Sequence, residues 1–96
     1  MLVLITYDVN TQTPEGRKRL RQVSKACQNY GQRVQNSVFE CEVDAGKFLK
    51  VKDRLVRLFN TETDSLRLYN IGNNGQNKVE HIGAKPSFDV SEPLII

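Results

Sequence analysis

Histidine occurs once in this chain, cysteine twice, proline three times and tryptophan not at all. With one histidine, no Ser-His-Asp grouping can be assembled, and His81 reads as a polar position on a late strand rather than as a general base. Cys27 and Cys41 are too few and too far apart for a zinc site or a redox CxxC pair, so both are expected to be buried as small apolar residues. No stretch approaches the ~18 consecutive apolar residues of a membrane span. The N-terminus shows neither a charged n-region nor a cleavage signal, so the cytoplasm is the expected compartment. Glycine-rich phosphate loops of the Walker or Rossmann type are missing, and Gly72-Asn73-Asn74-Gly75 reads as a turn. There are no internal repeats.

What is present is enough for one small domain. The 96 residues carry fourteen Lys or Arg against eleven Asp or Glu, a formal net charge of +3. The excess is mild, favouring nucleic acid or another polyanion without requiring it. A chain of this length buries only roughly 60–68% of its unfolded surface, so dimerisation would add considerably to its stability.

Residues 2 to 9 form a nearly continuous apolar run rich in Val, Ile and Tyr, the composition of a strand covered on both faces. Thr13-Pro14-Glu15 then offers an N-cap, a proline suited to the first helical turn and an acid at the positive end of the helix. Leu20, Val23, Cys27 and Tyr30 make the apolar stripe of that helix, and Gly31 supplies its stop. From Val34 to Val43 the alternation of Phe39, Cys41 and Val43 with Glu40 and Glu42 predicts two short strands, or one bulged strand, around a tight turn at 35–37. Asp44-Ala45-Gly46 opens a second helix with Phe48, Val51, Leu55, Leu58 and Phe59 on one side and five Lys and Arg on the other. Asn60-Thr61-Glu62 ends it, and 65–71 alternates as a further strand.

This order, βαββαβ, predicts an α+β, ferredoxin-like sandwich: an antiparallel sheet with both helices on one face. The opposite sheet face looks partly apolar, so a second copy of the chain is expected to cover it as an isologous homodimer. Lys78-Val79-Glu80-His81-Ile82 reads as a short extra C-terminal strand that pairs with an exposed sheet edge or crosses to the partner. The domain is expected to span residues 1–83, with 84–96, marked by Pro86 and Pro93, as a tail.

Chemistry has few candidates. Asp8 is the only carboxylate among the first fourteen residues, and it stands where the first strand ends. It is either a turn residue accepting backbone N–H bonds or a ligand for a hard cation such as Mg²⁺, which needs only one or two carboxylates alongside water and substrate phosphate. One carboxylate is thin equipment for phosphodiester hydrolysis, and a two-fold axis near this strand end would bring in a second Asp8. The basic run Arg17-Lys18-Arg19-Arg21, with Arg33 near the turn, is either a solvated helix face or a phosphate-binding surface. Tyr7, Phe39 and Tyr69 are the candidate free rings. The third strand lacks the Gly-aromatic run of an RNA-recognition motif, so backbone contact with duplex is favoured.

Three motifs in order carry a family resemblance: Tyr7-Asp8-Val9, then Arg33-Val34-Gln35-Asn36-Ser37-Val38-Phe39-Glu40, then Val79-Glu80-His81-Ile82-Gly83. Together they resemble the CRISPR-associated protein 2 family. The resemblance implies a ferredoxin-like homodimer in which the Asp8 pair faces a cleft on the two-fold axis and binds Mg²⁺, Asp8 being both metal ligand and catalytic residue. It implies a metal-dependent endonuclease acting on duplex DNA or single-stranded RNA, with Tyr7, Arg17, Arg19, Arg33, Ser37 and Phe39 at the nucleic acid. It also implies an integrase partner in spacer acquisition, with the dimer as a non-catalytic duplex-DNA bridge as the alternative role.

Overall fold

A computed structural model of the chain describes residues 1–71 and 77–84. Its elements are β1 (Leu2–Asp8), α1 (Pro14–Gln28), β2 (Gln32–Gln35), β3 (Val38–Glu42), α2 (Ala45–Leu58), β4 (Ser65–Ile71) and β5 (Asn77–Gly83). The predicted βαββαβ order is therefore present with its extra strand. The sheet runs β2-β3-β1-β4-β5 and every pairing in it is antiparallel. The Gly72–Gly75 turn and the tail beyond Ala84 lie outside the described residues.

Local chemistry sets the boundaries. Thr13 Oγ1 accepts from the Gly16 N–H at 3.0 Å, with Pro14 opening α1 behind it. Asp44 does the same for α2, its carboxylate accepting from the Lys47 N–H at 2.7 Å. The hairpin turns at Asn36-Ser37, with a register shift between Arg33 and Gln35, so the two-strand and bulge expectations both hold.

Gly31 is needed for a different reason from the one expected. The helix finishes on Asn29 in an ordinary right-handed conformation, and among the described residues Gly83 is the glycine found at positive φ. A Cβ on Gly31 would collide with the Glu40 carbonyl and the Cys41 sulfur. The constraint is close approach of the α1 exit to β3, not a left-handed cap.

β1 is the central strand, and its alternation divides the molecule. Val3, Ile5 and Tyr7 point to the helix side, where they meet Phe39 and Cys41 from β3 and Leu66 and Leu68 from β4. Val23, Ala26 and Cys27 of α1 and Val51 and Leu55 of α2 close that core. Burial pushes the Cys27 thiol up to about 12, and Cys41 up to about 11; both are inert apolar fillers, as expected. On the helix-free face lie Leu4, Thr6 and Asp8 of β1, Val38 of β3, and Ser65, Arg67 and Tyr69 of β4. Leu4 and Tyr69 are opposite one another there.

β5 pairs along the whole length of β4 of its own chain, from Ser65 opposite Gly83 to Ile71 opposite Asn77. Own-edge pairing is thus realised here rather than crossing to a partner. Lys52 of α2 reaches Glu80 of β5 at 2.8 Å and ties the helix layer to this edge. Among the described residues no helix is long and apolar enough to cross a membrane.

Gly83 ends β5 at φ 124°, and a Cβ there would meet the Asp64 carbonyl and, at 2.7 Å, the Ser65 Cα. Backbone strain and collision act together, so Gly83→Ala is expected to lose about 2–3 kcal/mol in urea unfolding. Gly46→Ala is the control. Its Cβ would meet only Asp44 Oδ1 at 3.5 Å inside α2, and it should be neutral or stabilising by up to ~1 kcal/mol.

Candidate functional site

The end of β1 presents two consecutive residues to opposite sides of the sheet. Tyr7 turns towards the helices and is 6% exposed, its ring stacked on Phe39 at a centroid distance of 6.2 Å and edge-on to Phe59 at 6.5 Å. Burial pushes the Tyr7 hydroxyl above its ordinary value, against the hydrogen bond with Ser24 and the charge of Arg33, which draw it down. It remains a neutral hydroxyl. Phe39 is fully buried, which corrects the expectation that it contacts nucleic acid. It fills the core while Arg33 lies over its ring, 5.2 Å from the centroid. Tyr69 is buried too, so none of the three candidate rings is displayed for base stacking.

Asp8 turns the other way and is exposed. It lines a recess of about 240 Å³ on the helix-free face, together with Thr6, Ser65, Ser37 and Arg67. Register places Asp8 directly opposite Ser65. Arg67 is 8% exposed, and its Nε donates to His81 Nδ1 at 3.1 Å. His81 is therefore an acceptor for a buried arginine, consistent with its reading as a polar position. The recess holds one carboxylate, one guanidinium and three hydroxyls. Among the described residues no group of three His, Cys, Asp or Glu gathers anywhere.

On the helix side, Tyr7 and Ser37 also line a second, larger cavity of about 600 Å³ between α1 and the β2–β3 turn. Arg33 sits on its wall and donates through Nη2 to Ser24 Oγ. The structure thus brings Tyr7, Arg33 and Ser37 together here, and Tyr7, Ser37 and Asp8 together across the sheet.

Arg17 and Arg19 go elsewhere. Arg17 is exposed and donates from Nη1 to the Thr11 carbonyl at 3.0 Å. Arg19 faces Asp64, with its Nε 3.0 Å from Oδ2 and its Nη2 3.4 Å from Oδ1. The guanidinium of Arg19 is thus engaged in holding a buried carboxylate.

Asp64 is the residue that sequence reasoning passed over. It is 0% exposed and accepts from the Asn10 N–H at 3.0 Å, the Asn60 N–H at 3.1 Å and Thr63 Oγ1 at 3.0 Å besides Arg19. Burial alone would raise its pKa, yet the Arg19 bond and the backbone donors prevail and hold it below the usual carboxylate value. The result pins the loop after Asp8 to α1 and to the entry of β4. Asn60-Thr61-Glu62 signalled the end of the helix, but nothing local revealed that Asp64 meets a cation 45 residues away.

A five-stranded antiparallel sheet backed by two helices, in the order βαββαβ with one further strand, is an α+β domain of the ferredoxin-like class. The family model for CRISPR associated protein Cas2 matches residues 1–79. The chain belongs to that family. It is 64% identical over 95 residues to the CRISPR-associated endonuclease Cas2 of Halalkalibacterium halodurans, covering 99% of each chain. With the CRISPR-associated endoribonuclease Cas2 3 of Rhodospirillum rubrum it shares 57% identity over 95 residues, 99% of this chain and 100% of the other. Among solved structures, Streptococcus pyogenes Cas2 at pH 6.5 superposes with a TM-score of 0.70 at 59% identity, covering 77% of this chain and 89% of that one.

Proposed function

We propose that this chain is a magnesium-dependent endonuclease that hydrolyses phosphodiester bonds of nucleic acid, duplex DNA in preference to single-stranded RNA, in CRISPR adaptation and antiviral defence. The observation that carries this reading is the Asp8 recess: an exposed carboxylate beside the hydroxyls of Thr6, Ser37 and Ser65, with Arg67 in the same wall. Those are hard oxygen donors around one negative charge, a set that fits Mg²⁺, which retains several waters and takes the rest of its shell from substrate phosphate. The relatives named endonuclease and endoribonuclease support the activity.

Each chain supplies half a site. One Asp8 holds too little charge, and a second copy related by a two-fold axis across the helix-free face supplies the other carboxylate. Held by the paired Asp8 carboxylates, a cation would supply activation of water and charge stabilisation at the scissile phosphate. The protein's own groups do the rest. Asp8 orients the donors at the strand mouth, Arg67 adds positive charge to the same wall, and Arg17 and Arg33 hold the backbone on either flank. Duplex is favoured because Tyr7, Phe39 and Tyr69 are buried rather than displayed.

A second reading, a non-catalytic duplex-DNA bridge joined to an integrase partner, is favoured by the exposed cations Arg17, Lys18, Arg21 and Lys25 along α1, which would bind a backbone without any chemistry. The nuclease reading is tested with purified chain by sedimentation at micromolar concentration and by cleavage of duplex with Mg²⁺ or with chelator. A dimer that cleaves only with the cation is expected. A stable monomer that still cleaves, or cleavage indifferent to chelator, would sink the paired-carboxylate site.

A further inference from the structure

The cavity on the helix side is not accounted for by a two-fold site on the other face. Arg21, Lys25 and Gln28 of α1 follow at spacings of four and three, so they share one side of the helix. They line the cavity with Ser24, Arg33 and Asn36, and its walls contain three cations and no carboxylate. Arg33 is fixed in place by Ser24 and by the Phe39 ring beneath it. Arg21 and Lys25 are exposed at the rim. At about 600 Å³ the space lies within the range of roughly 300–1,000 Å³ that takes small ligands.

We infer that this cavity binds an unpaired nucleotide of a nucleic-acid strand, its phosphate on Arg21, Lys25 and Arg33 and its base edge on the amides of Gln28 and Asn36. Each amide offers both a donor and an acceptor, suited to a base edge whose partner strand is gone. Pairing decides between the forms: a duplex offers its phosphates to the rim and keeps its base edges engaged with the other strand, whereas a single strand presents free edges to these amides. Position adds direction. The cavity and the Asp8 recess both include Tyr7 and Ser37, so the two spaces adjoin at the hairpin turn and one strand can reach from one to the other. The inference rests on the nucleic-acid reading above but not on hydrolysis.

The test compares a blunt duplex with the same duplex carrying a four-nucleotide unpaired extension, both fluorescently labelled, by anisotropy with the full chain in chelator. The extension is expected to tighten binding, and Arg21→Glu with Lys25→Glu should remove that gain, a loss of about tenfold or more (~1.4 kcal/mol). A nucleoside 5′-monophosphate should compete for the extension, and inorganic phosphate should not. Asp8→Asn should retain the gain, which separates failure of this site from failure of the nuclease. Equal loss on blunt and extended duplex would make the cavity a general backbone contact and overturn the inference. So would competition by inorganic phosphate as effective as by the nucleotide. Arg33→Lys, which keeps the charge but not the guanidinium held by Ser24, should give an intermediate loss, and circular dichroism confirms that each variant is folded.

Discussion

Asp8→Asn is expected to abolish the proposed cation-dependent cleavage, by at least about 100-fold, and to leave nucleic-acid binding and folding in place. The magnitude follows from removing the charge that, on the proposed reading, would hold the cation. The specificity follows from exposure: Asp8 stands at the lip of a recess rather than in the core, and asparagine has nearly its shape, so the change in stability should stay within about 0.5 kcal/mol. Cleavage, binding by anisotropy and thermal unfolding on the same preparation provide the three readouts. Variant activity near that of the parent would move the chemistry away from Asp8. Spacer capture that survives the substitution would instead favour the bridging role, with hydrolysis incidental.

Asp64→Ala is expected to be the most destabilising polar substitution in the described chain, costing about 3–5 kcal/mol. It strips acceptors from the Asn10 and Asn60 N–H groups and leaves the Arg19 guanidinium facing an empty, solvent-poor space. In a domain of this size that cost should lower Tm by more than about 12 °C. A double-mutant cycle with Arg19→Ala isolates the pair, and near-additive losses would mean that the backbone donors rather than Arg19 carry the effect.

The same carboxylate gives the fold a pH dependence whose sign is determined. Its folded pKa lies below the ordinary 3.8, so in this range the unfolded chain binds the proton more readily. The stabilisation is complete above that ordinary value and disappears as pH falls through it towards the depressed folded value. Acid unfolding of the parent should therefore contain a component below about pH 4 that Asp64→Ala lacks.

Much of this architecture was legible because its causes are local. Thr13-Pro14 and Asp44 are caps whose donors lie three residues on, and the alternation through Phe39 and Cys41 needs no knowledge of the rest of the chain. Asp8 was legible as an acid at the end of the first strand, and it stands exposed at the mouth of β1. Distant partners were not legible. Arg19 looked like one more base in a cationic run until Asp64 met it, and Phe39 looked like a displayed ring until α1 and α2 closed over its face of the sheet. Gly31 was assigned to the right place for the wrong reason, because close approach to β3 depends on tertiary packing that a helix-stop pattern does not contain.

The Tyr7 N–H donates to the Ser37 carbonyl at 3.1 Å, and these two residues border both the recess and the cavity. A single layer of backbone is thus the whole partition between two chambers. Ser37 cannot vary for the benefit of one chamber without being felt in the other, so this corner of the chain is expected to evolve as one unit: drift that reshapes one space would reshape its neighbour.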